Sequence, residues 1–162
     1  MYVKLFEELL KRQVDFILLG GGAVCIHGYP RMTEDIDILV ANNPANLSRL
    51  RQVLARWESG AGRNITDEEF QGPGALRLIE DFSLDIYTEL NGKPYEHYAR
   101  NAFLQSFPFG DVPVFSIEDL IEAKKNTHRE KDRLDVMALQ RKLGPPLATD
   151  SIPEIILEPP PA

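Results

Sequence analysis

A run of three glycines at residues 20–22 separates two short apolar segments and constrains the fold more than any other feature. The first segment, residues 16–19, is wholly apolar and predicts a buried strand. Glycine adopts positive φ at little steric cost, so the run predicts a tight turn after that strand. A second apolar strand is predicted at 36–40, and Asp35 and Asp37 lie at its start. We therefore expect two carboxylates beside a glycine-lined turn.

The acid pair indicates a cation site. Side chains at positions i and i+2 of a strand point to the same face, so Asp35 and Asp37 lie side by side while Ile36 and Ile38 pack behind them. Two carboxylates this close repel each other unless a cation lies between them. Hard oxygen ligands suit Mg²⁺, which proteins commonly hold with one or two carboxylates and the phosphates of a substrate. The pair predicts a site for a divalent metal ion and a nucleoside triphosphate.

A third carboxylate is expected, because two-metal phosphoryl chemistry commonly uses one more oxygen donor that can also accept a proton. Asp85 fits best, since it alternates with apolar residues in the predicted strand 82–87 and projects from its polar face. Asp81 and Glu89 are less regular alternatives. An exposed strand residue without a chemical role is the competing interpretation of Asp85.

Other residues near the acid pair could contact phosphates. A strand, a glycine turn and a helix start present free backbone N–H groups, which bind phosphate oxygens well, although the run could also be only a tight connection. No Gly-Lys-Ser or Gly-Lys-Thr follows it, so it is not a P-loop. Arg31 and Thr33 are close enough in sequence to reach the same phosphates. The alternative for Arg31 is a surface ion pair.

Composition limits the class of protein. The 162 residues fit one domain, and 43% hydrophobic content is ordinary for a globular core. A net charge of -7 argues against a surface that attracts nucleic acid everywhere, so such contact would be local. The local candidate is a basic cluster, which could equally be a solvated helix face. Its members are Lys124, Lys125, His128, Arg129, Lys131 and Arg133.

Cysteine and hydropathy point to a cytoplasmic protein without membrane contact. Cys25 has no second cysteine to pair with, which excludes an internal disulfide and a CxxC site and favours a small buried residue. No apolar run approaches the roughly 20 residues that span a bilayer. The acidic, amphipathic N-terminus is unlike a signal or transit peptide. His27 lacks a partner histidine at ligand spacing and is interpreted as a packing residue at a helix end.

Periodicity and capping signals predict five helices and five strands. The helices are expected at 2–12, 23–27, 45–58, 116–128 and 131–143, and the strands at 16–19, 36–40, 76–79, 82–87 and 112–115. Pro113 favours a sheet edge for the last strand, because proline cannot donate to a ladder. Residues 59–74 are interpreted as a loop that could act as a substrate flap. Residues 1–144 are expected to form one domain and 145–162 a proline-rich tail whose isoleucines could pack on the body or on a partner.

These residues resemble the nucleotidyltransferase superfamily of the DNA polymerase beta type. In particular, they resemble its minimal bacterial branch, which includes the AbiEii-like toxin components. The family pattern is a hydrophobic residue, Gly-Gly or Gly-Ser, a short gap, Asp-hydrophobic-Asp and a later third acid. Gly20-Gly21, Asp35-Ile36-Asp37 and Asp85 match this pattern in order.

A second block also resembles this family. Lys124 is followed by Arg129-Glu130-Lys131-Asp132 and then by Asp135, where similar small nucleotidyltransferases carry Lys, Arg-x-Lys-Asp and Asp on paired helices behind the site. The matched residues extend over most of 17–136. Residues after Gly144 have no counterpart in the pattern.

The resemblance implies an α/β (α+β) nucleotidyltransferase fold, with a small mixed β-sheet flanked by helices and a helical C-terminal part. It assigns catalysis and divalent metal, Mg²⁺ or Mn²⁺, to the three aspartates, with Asp85 as proton acceptor or as the ligand that activates the acceptor hydroxyl. It assigns the triphosphate to the glycines, and phosphate contact or structural pairing to the basic residues of the second block. The residues in these roles are Asp35, Asp37, Asp85, Gly20, Gly21, Lys124, Arg129 and Lys131.

We therefore expect a metal-dependent nucleotidyltransferase. It would move a nucleoside monophosphate from a triphosphate to an acceptor hydroxyl on RNA, such as a tRNA end, or on a protein. A cognate antitoxin or another partner protein is a further expected partner. Two alternatives use the same residues: a non-catalytic nucleotide-binding or toxin-antitoxin interaction module, and a phosphohydrolase that releases free phosphate.

Overall fold

The apolar segments form the strands of a mixed sheet, with helices packed around it. The computed structural model describes residues 2–125, 127, 129–142 and 153–159. The strands are β1 (Phe16–Leu19), β2 (Met32–Thr33), β3 (Asp35–Val40), β4 (Leu76–Ile79), β5 (Ser83–Tyr87), β6 (Glu89–Leu90), β7 (Lys93–Pro94), β8 (Phe103–Phe107), β9 (Gly110–Val114) and β10 (Ile156–Leu157). The helices are α1 (Tyr2–Lys11), α2 (Gly20–Ile26), α3 (Pro44–Leu54), α4 (Tyr95–Ala99), α5 (Ile117–Lys124) and α6 (Glu130–Lys142).

Six strands build the main sheet in the order β4-β5-β3-β1-β9-β8. The pairs β3–β5 and β1–β9 are parallel, and the other three pairs are antiparallel. Two small ladders accompany this sheet, one between β6 and β7 and one between β10 and β2. The predicted fold class, a small mixed sheet flanked by helices, is confirmed.

The central strands are buried on the face opposite the acid pair. Ile36, Ile38, Leu84 and Ile86 have no exposed surface. Burying a side chain of this size stabilises a fold by about 1.5–3 kcal/mol, so this layer fixes which face of β3 and β5 points into the core. The alternating aspartates are thereby directed to the other face.

The helices pack on this sheet and on each other. Helix α2 contacts β1 and β3 and also touches α5, which packs along α6. Helix α1 packs on α3 and β9. Ser116 caps α5 as its sequence predicts, with its hydroxyl accepting a hydrogen bond from the Asp119 backbone N–H at 3.1 Å. None of the helices in the described ranges is long and apolar enough to cross a membrane.

Several predicted boundaries were wrong. Helix α2 begins at Gly20 rather than Ala23, so the glycines form its first turn. Helix α3 ends at Leu54 rather than 58, and α5 ends at Lys124. The predicted helix ends at 128 and 143 lie outside the described residues.

The prediction that Pro113 marks a sheet edge was also wrong. Strand β9 lies between β1 and β8, so the edge on this side of the sheet is β8, which the periodicity did not predict. Proline is tolerated here because the ladder to β1 is short and pairs only Leu18 with Val114. The segments β2, β6, β7 and α4 were likewise not predicted.

The described part of the tail packs on the body. Strand β10 pairs with β2 in parallel, and the Glu158 backbone N–H donates to the Thr33 carbonyl at 2.9 Å. Ile155 is buried beside Gly22. The tail therefore braces the segment that carries Thr33. Ile152 and the remaining tail residues, 145–151 and 160–162, lie outside the described residues.

Candidate active site

The sheet brings the three aspartates together on one face. Strands β3 and β5 run parallel with Asp37 opposite Asp85 and Asp35 opposite Ser83. Neighbouring strands are about 4.8 Å apart, so Asp37 and Asp85 are adjacent, and Asp35 follows two residues away on the same face. The convergence that the sequence predicted for these carboxylates is present in the structure.

Arg77 connects two of these carboxylates and was not predicted. It lies on β4 directly opposite Asp85. Its Nε and Nη2 donate to the two carboxylate oxygens of Asp85, each at 2.8 Å, and Nη2 also donates to Asp35 at 3.2 Å. The sequence predicts that β4 and β5 form a hairpin, and its register decides what Arg77 contacts. A two-residue turn at 80–81 would place Arg77 opposite Leu84. The observed turn is one residue longer and places Arg77 opposite Asp85.

The carboxylates of the site repel one another. Burial, followed by the charges of Asp85 and Asp35, raises the pKa of Asp37 to about 7. Burial and the Asp85 charge also raise the pKa of Asp35. Burial and the neighbouring carboxylates raise the pKa of Tyr87, on the same face of β5, to about 12. The face therefore carries more negative charge than its surroundings neutralise, which favours a cationic ligand.

Gly20 allows the backbone to pass beside the acids. Its φ of +66° is in the left-handed region, and a Cβ there would overlap the Asp37 carboxylate. At Gly21 a Cβ would overlap Thr33 Oγ1 and lie 2.9 Å from Nη2 of Arg31. Glycine is thus required at positions 20 and 21 by close approach to Asp37, Thr33 and Arg31.

Gly20→Ala is expected to destabilise the protein by about 1–3 kcal/mol, because the residue adopts a strained φ and pushes Asp37 out of place. Urea unfolding measures the loss. Gly92→Ala provides a matched control, since its φ of +73° is close to that of Gly20 but nothing lies within 4 Å of its added Cβ. Equal losses for the two variants would show that backbone strain alone matters and that contact with Asp37 does not.

A buried ion network holds two cations that also line the cleft. Asp135 on α6 has no exposed surface and accepts hydrogen bonds at 2.7 Å from Nε and Nη2 of Arg31. Lys124 Nζ lies 2.9 Å from Asp135 and 2.9 Å from Asp132. Thr127 donates to Asp132 at 2.9 Å. Burial alone would raise the pKa of Asp132, but the hydrogen bonds from Lys124 and Thr127 lower it overall.

Two further basic residues are more exposed. Arg129 lies 3.8 Å from Asp132 with 63% of its side chain exposed, and Lys131 lies 3.9 Å from the exposed Glu34. Exposed pairs at such distances contribute little to stability, so both side chains can turn toward a ligand. By contrast, Lys124 and Arg31 are fixed by partly buried pairs.

All ten residues that the sequence proposed for the site line one cleft of about 340 Å³. They are Gly20, Gly21, Arg31, Thr33, Asp35, Asp37, Asp85, Lys124, Arg129 and Lys131. The cleft also includes Arg77, Tyr87 and Thr127. Asp81, one alternative to Asp85, lines a separate cavity next to α1 and α3.

Two residues that the sequence assigned to packing do pack. His27 Nε2 donates to the Phe115 carbonyl at 2.7 Å, and its ring lies 5.0 Å from that of Phe103. Cys25 is buried, and its Sγ donates to the Arg31 carbonyl at 3.1 Å. Both contacts position the chain behind the cleft.

The donor set is chemically suited to a divalent cation. Within the described ranges, no three carboxylate, imidazole or thiolate side chains are already arranged as a metal cluster. Instead, the Arg77 guanidinium lies between Asp85 and Asp35, which shows that these carboxylates accommodate a positive charge. Carboxylate oxygens are the ligands that Mg²⁺ and Mn²⁺ prefer, so Asp35, Asp37 and Asp85 fit such an ion.

Known nucleotidyltransferases share this fold. The structure of the lincosamide antibiotic adenylyltransferase LnuA with lincomycin bound superposes with a TM-score of 0.58 at 17% identity, covering 86% of this chain and 96% of that one. An antigenic nucleotidyltransferase-like protein of Paracoccidioides brasiliensis gives 0.55 at 15% identity, with coverage of 85% and 73%. A Thermotoga maritima protein described as a candidate nucleotidyltransferase gives 0.55 at 16% identity, with coverage of 88% and 91%. No curated protein sequence matches the chain significantly.

The family assignment comes from a sequence model that spans most of the chain. The model of the nucleotidyl transferase AbiEii toxin of type IV toxin-antitoxin systems matches residues 6–148. This range includes the glycine run, the three aspartates and the ion network of α5 and α6 described above. The chain therefore belongs to the AbiEii nucleotidyl transferase family.

Proposed function

We propose that this protein uses a divalent metal ion to transfer a nucleoside monophosphate from a triphosphate to an acceptor hydroxyl. The observation that carries the proposal is the cleft itself. Three carboxylates on neighbouring strands and two fixed cations, Arg31 and Lys124, line the same cleft of about 340 Å³. The carboxylates suit a metal ion and the cations suit phosphate oxygens, and a metal-bound nucleoside triphosphate needs both.

The residues that line the cleft would have different roles in nucleotide transfer. The bond between the acceptor oxygen and the α-phosphorus forms as the bond from that phosphorus to the bridging oxygen breaks, and pyrophosphate leaves. Mg²⁺ or Mn²⁺ would neutralise the phosphates and be held by Asp35, Asp37 and Asp85. Asp85 would also receive the acceptor proton or orient the attacking hydroxyl. Arg31 and Lys124 would stabilise the negative charge of the departing pyrophosphate.

The remaining contacts to the triphosphate would come from less constrained groups. Gly21 lies beside Thr33 and Arg31, and Gly20 lies beside Asp37. Thr33 and the backbone at both glycines would approach phosphate oxygens closely. Arg129 and Lys131 are the exposed cations of the cleft. We assign them to the outer phosphates or to the acceptor.

We propose RNA, such as a tRNA end, or a protein hydroxyl as the acceptor. Arg129 and Lys131 give the cleft a basic border on a chain whose net charge is -7, which favours local over extended contact with a phosphate backbone. Since the family model describes a toxin of a toxin-antitoxin system, we also propose a cognate antitoxin as partner. Triphosphates, RNA and proteins of this kind are found in the cytoplasm, where we expect the protein to act.

The test is the destination of label from nucleoside triphosphates. We expect incubation with each of four α-³²P-labelled triphosphates, Mg²⁺, total RNA and total protein to label one of the two acceptor classes. EDTA should abolish the labelling, because it removes the ion that the carboxylates hold. Asp35→Asn should label nothing above background while keeping its circular dichroism spectrum.

Other outcomes separate the competing functions. Binding of a triphosphate in calorimetry without any adduct would support a non-catalytic nucleotide-binding or toxin-antitoxin interaction module. Release of free phosphate without adduct would support a phosphohydrolase. Labelling that is equal for the wild type and Asp35→Asn would contradict the proposed site.

A further inference from the structure

Arg77 occupies a position that neither the family pattern nor the predicted reaction explains. Its guanidinium donates to both oxygens of Asp85 at 2.8 Å and to Asp35 at 3.2 Å. Two parallel N–H···O bonds to one carboxylate form the strong fork arrangement of arginine. The oxygens that would hold a metal ion are thus the oxygens that already hold an internal cation.

We propose that Arg77 competes with the divalent cation for Asp35 and Asp85 and thereby sets the metal affinity of the site. This inference rests on the proposed function, since it assumes that the carboxylates bind metal. The guanidinium leaves both carboxylates when the ion binds, and it then remains at the mouth of the cleft as a free cation for the phosphates.

The exposure of the three side chains supports a movable competitor rather than a fixed support. The Arg77 side chain is 55% exposed, whereas those of Asp85 and Asp35 are 8% and 19% exposed. The arginine therefore reaches in from solvent on a flexible stem, and the carboxylates are fixed by their strands. Arg31 differs from Arg77 in this respect. Its side chain is only 17% exposed, and the fully buried Asp135 holds it in place.

Charge favours the same conclusion. The guanidinium of Arg77 stays cationic at every pH of interest, because arginine does not lose its proton in proteins. A permanent positive charge between two ligands opposes entry of a second cation both by occupying oxygens and by repulsion. Solvent screening limits the effect, because the group is half exposed.

Mn²⁺ titration followed by electron paramagnetic resonance tests the proposal at constant ionic strength. We expect Arg77→Gln to bind Mn²⁺ about tenfold more tightly than the wild type, equivalent to about 1.4 kcal/mol. Arg77→Lys keeps the charge without the fork and should fall between the two. Arg56→Gln is the matched control and should leave the affinity unchanged, since it removes the same charge from an arginine that is 59% exposed and paired with Glu8.

A second measurement follows the side chain itself. In the wild type, Mg²⁺ should shift the Arg77 Nε–H resonance toward that of a free arginine, while the Arg31 Nε–H resonance remains that of a bonded group. Retention of the circular dichroism spectrum by Arg77→Gln shows that the variant is folded. The double variant Arg77→Gln, Asp85→Asn should lose the gain in affinity.

The outcomes separate this inference from the proposed function. Equal or weaker Mn²⁺ binding by folded Arg77→Gln overturns the competition, even where the wild type transfers label in a metal-dependent reaction. Absence of Mn²⁺ binding at millimolar concentration in both proteins overturns the competition and the metal-dependent function together. An Arg77 resonance unmoved by saturating Mg²⁺ also overturns the competition.

Discussion

Asp37→Asn is expected to lower the rate of nucleotide transfer by at least about 1000-fold and to make the protein more stable at the same time. The loss of activity follows from position. Asp37 lies between Asp35 and Asp85 at the centre of the carboxylate face and beside Gly20. Removing one essential group that stabilises charge in a transition state costs about 100- to 1000-fold, and removing a metal ligand also weakens binding of the ion.

The gain in stability follows from the charge that the site carries. Burial and the two neighbouring carboxylates raise the pKa of Asp37 from 3.8 to about 7. The folded chain then holds this proton more tightly than the unfolded chain, so stability falls as pH rises from about 4 to 7 and the full cost is present above pH 7. The shift corresponds to about 4 kcal/mol. We expect the Asp37→Asn variant to recover about half of it, because the new amide still needs partners.

Urea unfolding at pH 8 in EDTA, together with the label-transfer assay in Mg²⁺, measures both effects. At pH 4, where the wild-type carboxyl is protonated, the gain should be lost and Asp37→Asn should be less stable than the wild type by about 2 kcal/mol, the cost of its amide. Asp15→Asn is the control, since Asp15 is exposed and lies 3.9 Å from Arg49, away from the cleft. A variant that is less stable than the wild type at pH 8 would contradict the predicted sign.

Asp135→Ala is expected to destabilise the protein by about 3–5 kcal/mol, the largest stability effect that we predict. Asp135 has no exposed surface and binds Arg31 through two hydrogen bonds and Lys124 at 2.9 Å. Its removal leaves two partly buried cations with too little negative charge around them. Breaking a buried pair from one side costs several kcal/mol, because the remaining charge is neither paired nor hydrated.

The unfolding midpoint in urea measures this loss, and intact folding at low denaturant is checked by circular dichroism. Glu34→Ala is the matched control, because it removes a carboxylate from the exposed pair with Lys131 at 3.9 Å and should change stability by less than about 0.5 kcal/mol. Asp135→Ala and Glu34→Ala with the same midpoint would show that the network contributes nothing to the fold.

The local pattern of the sequence was sufficient to predict the core strands and the position of the acid pair. The residues of β1 and β3 are almost wholly apolar, and alternation in β5 identified Asp85 as a polar residue on a buried strand. Alternation in the sequence predicts which side chains share a face, because side-chain direction alternates strictly along a strand. The periodicity did not reveal β8, which alternates between half-buried and exposed residues and therefore lacks a buried face.

The amino-acid sequence by itself determined which residues could do the chemistry: three carboxylates, a glycine run and a set of cations, each recognisable from spacing of a few residues. Only the tertiary structure decided which of them pair with each other. Because the β4–β5 turn is one residue longer than expected, Arg77 lies opposite Asp85 rather than Leu84. The packing of α6 against α5 brings Asp135 to Lys124 and Arg31, the latter 104 residues away in the chain. Strand register and helix packing depend on contacts between distant segments, which spacing along one chain cannot encode.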